Sequence, residues 1–257
     1  MGQYNFDQIL DRTNTKSLKY DFAVKRGKPA DVLPFWVADM DFEIPPELKQ
    51  ILLDRVNHGV FGYTESDDEY FDVLQNWFST RFSWIPEQKW LVKTPGIVFA
   101  LAMAVRAFTK EGEGVLINQP VYYPFSMVID DNDRRLINVP LIKGEERYTI
   151  DFEGIERAIV EENVTLFLLC NPHNPVGRVW TEDELKRLGD ICIKHNVLIV
   201  SDEIHADFVW KGHTHKVFAA LGESYAEHCI VCTAPSKTFN IAGLQVSNIF
   251  IPNDSLR

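Results

Sequence analysis

The 257-residue sequence has no apolar run of membrane-spanning length, no Lys/Arg-rich tract and only four cysteines. The first lack argues against a transmembrane segment, and the polar start from Met1 to Leu10 argues against a signal peptide, so a cytoplasmic protein is the default. The second lack, with 26 basic against 37 acidic residues and a formal charge of -11, argues against nucleic acid and anionic membranes as partners. The third leaves a single CxxC, Cys229 to Cys232, inside an apolar run. In a strand that odd separation turns the two thiols to opposite faces. No second pair completes a zinc site, so the cysteines read as buried apolar side chains. No internal repeat or low-complexity tract stands out.

What is present suits a large α/β core, with 46% hydrophobic and 25% charged residues. About the first forty residues, through Pro34 to Asp41, read as an irregular arm. Pro45-Pro46 opens a helix to about Asn57, with Leu48, Ile51, Leu52 and Val56 at helical spacing. A loop follows from Gly59 to Thr64. A second helix, from about Asp67 to Arg81, puts Tyr70, Leu74, Trp77 and Phe78 on one side. The cluster Trp77, Phe78, Phe82 and Trp84 reads as core or subunit interface.

After Thr94-Pro-Gly a third helix begins, and short apolar runs then alternate with helical segments. The runs span 115–118, 136–139, 166–170, 197–201, 229–233 and 246–251. Helices are expected near 122–131, 152–162 and 182–195. Several runs are apolar without alternation, as in parallel strands covered on both faces. This is the pattern of a doubly wound, mostly parallel sheet with helices on both faces. The change of pattern divides an N-terminal arm-and-helix region, 1–93, from a sheet domain, 94–257. The sequence stops just after a strand-like run, so the sheet domain is expected to be truncated at its C-terminal end.

Three runs end in chemically unusual loops: Asn171-Pro-His-Asn-Pro-Val-Gly-Arg178, Ser201-Asp-Glu-Ile-His-Ala-Asp-Phe208 and Ala234-Pro-Ser-Lys-Thr-Phe-Asn240. Ligands of open α/β sheets bind beyond the carboxyl ends of the strands. An amide, a carboxylate and a lysine therefore meet on one edge. Thr94-Pro-Gly-Ile-Val98 adds bare N–H groups at a helix start, a ready anion site. Each piece alone is ordinary. Together they match pyridoxal 5′-phosphate (PLP), whose phosphate, pyridine nitrogen, phenolic oxygen and aldehyde need an anion site, a carboxylate, a donor and a lysine.

With Trp36-Val-Ala-Asp-Met-Asp-Phe42 and Phe61-Gly-Tyr-Thr64, these segments resemble the fold-type I PLP enzymes of the class I/II aminotransferase superfamily. Within it they most resemble the MalY/PatB-type cystathionine β-lyases. The resemblance implies the aspartate-aminotransferase-like fold, with a C-terminal small domain largely absent from this chain. It implies that Lys237 holds the cofactor covalently, Asp202 pairs with the pyridine nitrogen, and Asn174 donates to the phenolic oxygen. Tyr122 would stack on the ring in preference to Tyr123. Ile97 and Val98 amides, with the Ser236 hydroxyl, would bind the phosphate. Tyr63 would reach the phosphate of a neighbouring subunit, giving a homodimer with shared active sites. Val37 and Ala38 would border the amino-acid substrate.

Some positions depart from the wider superfamily. His205 stands where many aminotransferases have tyrosine, which favours the lyase branch and places His205 by the cofactor. Ala234 and Gln245 replace common phosphate-binding serine and arginine positions. The arginine for the substrate α-carboxylate is expected beyond residue 257. The implied reaction is β-elimination of a thiol, giving pyruvate and ammonia, with Lys237 as base and Asp202 supporting electron withdrawal. The alternatives are an aminotransferase built on the same residues and a protein whose role is to bind a regulator. His213 with His215, and the acidic turn Asp130 to Asp133, lack the further ligands of a metal site.

Overall fold

A computed structural model describes residues 4–257; residues 1–3, where the polar start begins, are outside the described residues. The arm has one short 3-10 turn, Val24–Arg26, a few further backbone turns, and a set of side-chain clamps. Arg12 grips Asp39 at 2.7 Å and Asp41 at 2.6 Å, and Lys19 meets Asp41 at 2.7 Å. Two cations facing two carboxylates on one short segment give 36–42 a fixed shape that no backbone ladder supplies.

Helix α1 (Pro46–His58) begins on its proline and ends at Gly59 in the left-handed region. Helix α2 (Asp68–Phe82) is capped by the Asp67 carboxylate, which accepts from the Tyr70 N–H at 3.2 Å. Strand β1 (Leu91–Thr94), α3 (Ile97–Phe108), β2 (Gly114–Ile117), α4 (Pro124–Asp130) and β3 (Arg135–Asn138) follow. A small hairpin pairs β4 (Ile142–Lys143) with β5 (Tyr148–Thr149). Then come α5 (Phe152–Glu161), β6 (Val164–Cys170), α6 (Glu182–Lys194), β7 (Leu198–Asp202), α7 (Glu223–Ala226), β8 (Cys229–Thr233) and β9 (Ser247–Phe250). Helix α6 starts with a full capping box between Thr181 and Glu184. Among the described residues no helix is long and apolar enough to cross a membrane.

Seven strands form one sheet in the order β1-β9-β8-β7-β6-β2-β3. Pairing is parallel from β3 to β8, and β9 runs against both neighbours. The expected doubly wound, mostly parallel architecture is present. Alternate residues of each strand feed two cores. Leu166, Leu168, Cys170, Ile230 and Cys232 pack with α3 and α4, whereas Phe167, Leu169, Cys229 and Val231 pack with α2, α5 and α6. Cys229 and Cys232 thus lie on opposite faces, as their odd spacing requires. Phe78 and Trp84 are core, their rings 5.3 Å apart and both packed edge-on to Phe250. Periodicity does not announce β1, β4 or β5, which are short strands whose pairing partners decide them.

Candidate active site

Strands β6, β7 and β8 are neighbours in register, Cys170 opposite Asp202 and Asp202 opposite Cys232. Their three loops therefore open at one level. They border a cleft of about 870 Å³. Val37, Ala38, Ile97, Val98, Tyr122, Asn174, Asp202, His205, Ser236 and Lys237 all line it. Tyr63 does not; it is fully exposed on the loop after α1. Tyr122 and Tyr123 both line the cleft, their rings 5.4 Å apart, and Tyr122 is the more buried.

Asp202 ends β7, 4% exposed. Burial pushes its carboxyl up to about 7, against the lowering effect of the Ile204 N–H, which donates to Oδ1 at 3.1 Å; neighbouring Glu203 raises it and Lys237 lowers it. A carboxylate desolvated this far has much to gain from a cationic partner in the cleft. Lys237 is pulled the other way: burial lowers its pKa, while Asp39 and Asp202 raise it. Burial also takes His205 down to about 4, helped by Lys237, which leaves the imidazole neutral at pH 7.

The start of α3 also lines the cleft. Gly96 precedes it at φ +97°, a conformation that favours glycine, and no side chain caps the helix. No acidic residue occupies its first turn. The N-terminal amides of a twelve-residue helix thus face the cleft with their dipole uncompensated, an arrangement that attracts an anion. A Cβ built on Gly96 would meet nothing within 4 Å, so space lies open beside those amides.

The residues after Lys237 anchor its turn to three separate elements. Thr238 Oγ1 donates to Asp207 at 2.7 Å, and Arg81 of α2 holds the same carboxylate at 2.9 Å. Phe239 packs on Trp77 of α2 at 5.5 Å. Asn240 reaches the arm, accepting from the Met40 N–H at 2.9 Å and donating to Met40 and Phe42 carbonyls at 3.1 and 2.9 Å. On the far side of β7, Glu203 is buried, accepting from Ser201 Oγ, the Phe218 N–H and His215 Nε2 at 2.8 to 2.9 Å. His215, weighed above as a metal ligand, serves this buried carboxylate. His173 joins two cleft loops through Nε2 and the Pro120 carbonyl at 3.0 Å. Sequence reasoning misses Asn240, Glu203 and His173. Each sits inside or beside a quoted loop, but its partner is distant in sequence.

The model of a family described as aminotransferase class I and II matches residues 30–257. Among curated proteins, the cystathionine beta-lyase PatB of Bacillus subtilis is 45% identical over 249 residues, covering 97% of this chain and 64% of its own length. Protein MalY of Escherichia coli is 34% identical over 255 residues, covering 99% and 65%. Cystalysin from Treponema denticola, a crystal structure containing pyridoxal 5′-phosphate, superposes with a TM-score of 0.93 at 42% identity, covering 98% of this chain and 65% of that one. The chain thus spans somewhat less than two thirds of these relatives. With a match running through the arm segment, the α3 start and all three strand-end loops, the chain belongs to the class I and II aminotransferase family.

Proposed function

We propose that the protein is a PLP-dependent carbon–sulfur β-lyase. It would cleave cystathionine and related cysteine S-conjugates to pyruvate, ammonia and a thiol. The observation that carries this reading is the meeting, in one cleft, of an uncapped helix start, a desolvated carboxylate and a desolvated lysine. These residues fit the cofactor. The Ile97 and Val98 amides with Ser236 would hold its phosphate, Asp202 its ring nitrogen, Asn174 its phenolic oxygen, Tyr122 its ring face and Lys237 its aldehyde. When bound, the cofactor supplies the sink for electrons released at the substrate α-carbon.

Lys237 Nζ then takes the α-proton. Burial makes its neutral, basic form accessible nearer to working pH than on a surface lysine. Asp202 keeps a proton on the ring nitrogen, since a buried carboxylate pairs strongly with adjacent positive charge. His205, neutral beside it, adds no competing cation. Val37 and Ala38, in the cleft lining, would border the substrate. Elimination rather than transamination is supported by the relative named cystathionine beta-lyase at 45% identity. The proposal includes a homodimer, with the exposed Tyr63 reaching the partner subunit's phosphate site.

The test is product analysis of the full-length protein. Cystathionine alone should give pyruvate, ammonia and homocysteine with no keto-acid acceptor. Absence of pyruvate, with rapid turnover of alanine plus 2-oxoglutarate, would establish the aminotransferase instead.

A further inference from the structure

Asn240 joins the lysine-bearing turn to the N-terminal arm by side-chain hydrogen bonds. The contact spans 200 positions of sequence. It is read in both directions: Oδ1 accepts the Met40 N–H, and Nδ2 donates to the carbonyls of Met40 and Phe42. A carboxylate of the same shape cannot donate, and a hydroxyl is too short to bridge both carbonyls. Asn240 also sits at φ +55°, in the left-handed region that asparagine tolerates better than most residues.

The backbone just before the segment it holds is under strain. Val37 lies at φ +62°, which a β-branched side chain resists, so its surroundings must impose that conformation. Two devices grip the residues that follow it. The Arg12 and Lys19 cluster grips Asp39 and Asp41 by their side chains, and Asn240 grips the backbone of Met40 and Phe42. Val37 and Ala38, just before the gripped stretch, are cleft wall. The first device ties the arm to itself. The second ties it to the turn that carries Lys237.

We infer that Asn240 is a latch fixing the arm as one wall of the cleft, so that it sets affinity for the amino-acid substrate without touching it. It is a positioning residue. The inference rests on the proposed reaction for the identity of the substrate, and on the hydrogen-bond geometry for the latch.

The test compares full-length wild type with Asn240→Gly and Asn240→Asp. Glycine accepts the left-handed backbone and removes the amide; aspartate keeps the acceptor for the Met40 N–H and loses both donors. In Asn240→Gly, amide hydrogen exchange at 38–42 should quicken by roughly tenfold to a hundredfold, as expected when several hydrogen bonds to one segment are lost. KM for cystathionine should rise about tenfold with kcat within about threefold, the signature of lost binding shared by ground and transition states. Cofactor content and the visible absorption band should stay as in wild type, and Asn240→Asp should lie between. Unchanged exchange at 38–42 in both variants overturns the latch. So does loss of cofactor in step with activity, which would make Asn240 a mere support of the lysine turn. If Asn240→Gly does not fold, exchange in Asn240→Asp decides. Failure of the pyridoxal reading shows separately, as wild type carrying no cofactor, and exchange then decides the latch alone.

Discussion

Asp202 carries a charge that the fold resists, and replacing it should make the cofactor-free protein more stable. Its carboxyl titrates near 7 in the folded chain against an ordinary value of 3.8. A folded-state pKa above the unfolded one means that the native state binds the proton more tightly. Stability contributed by this group is therefore full below about pH 4 and falls until the pH passes about 7. At about 1.36 kcal/mol per pH unit, the interval amounts to roughly 4 kcal/mol. The substitution Asp202→Asn would keep the acceptor for the Ile204 N–H and lose the charge. The attraction to Lys237 is already part of the folded value, so the net gain at pH 8 should be about 4 kcal/mol, and near zero at pH 4. For a chain of this size that is a rise of roughly 5–15 °C in Tm. The assay is urea or thermal unfolding of cofactor-free wild type and Asp202→Asn between pH 4 and 8. A difference that does not change with pH, or a variant less stable at pH 8, would refute the reasoning. With cofactor bound the variant should lose turnover by roughly 10²–10⁴, because the charge that destabilises the empty fold is the one the reaction uses.

Gly96→Ala should weaken cofactor retention on dialysis. The new methyl meets open space, so the cost is backbone strain of about 1–2 kcal/mol at φ +97°, relieved by tilting the first amides of α3; unaltered retention and stability would contradict it. Mixing Tyr63→Phe subunits with Lys237→Ala subunits should restore part of the activity through heterodimers in which one site escapes both changes, and full activity in a monomer would refute shared sites.

How much of this was legible in the sequence depended on distance along the chain. The α2 span could be read because Tyr70, Leu74, Trp77 and Phe78 recur at helical spacing within one short stretch. The opposite facing of Cys229 and Cys232 followed from parity alone. The cleft was foreseeable because strand ends in a parallel sheet share one edge, so Asn174, Asp202 and Lys237 could be placed together without coordinates. The reversal of β9 was not, since direction is decided by β8 and β1 on either side. Nor was the burial of Glu203 and His215, whose pairing closes a loop of twelve residues. Asn240 stood in a quoted loop, yet its partners lie in the arm, and no local pattern reports a contact across 200 positions.

The in-register alignment of Cys170, Asp202 and Cys232 makes the sheet a ruler. Adjacent strands stand roughly 4.8 Å apart, so the loops after β6 and β8 start about 10 Å from each other with Asp202 midway between them. That is the width of one substituted six-membered ring with its contacts. A ligand met at once by Asn174, Asp202 and Lys237 must span about this breadth. A one-residue slip of β7 would move Asp202 about 3.3 Å along the strand and turn it to the other face. Strand register therefore positions this site as much as the side chains themselves do.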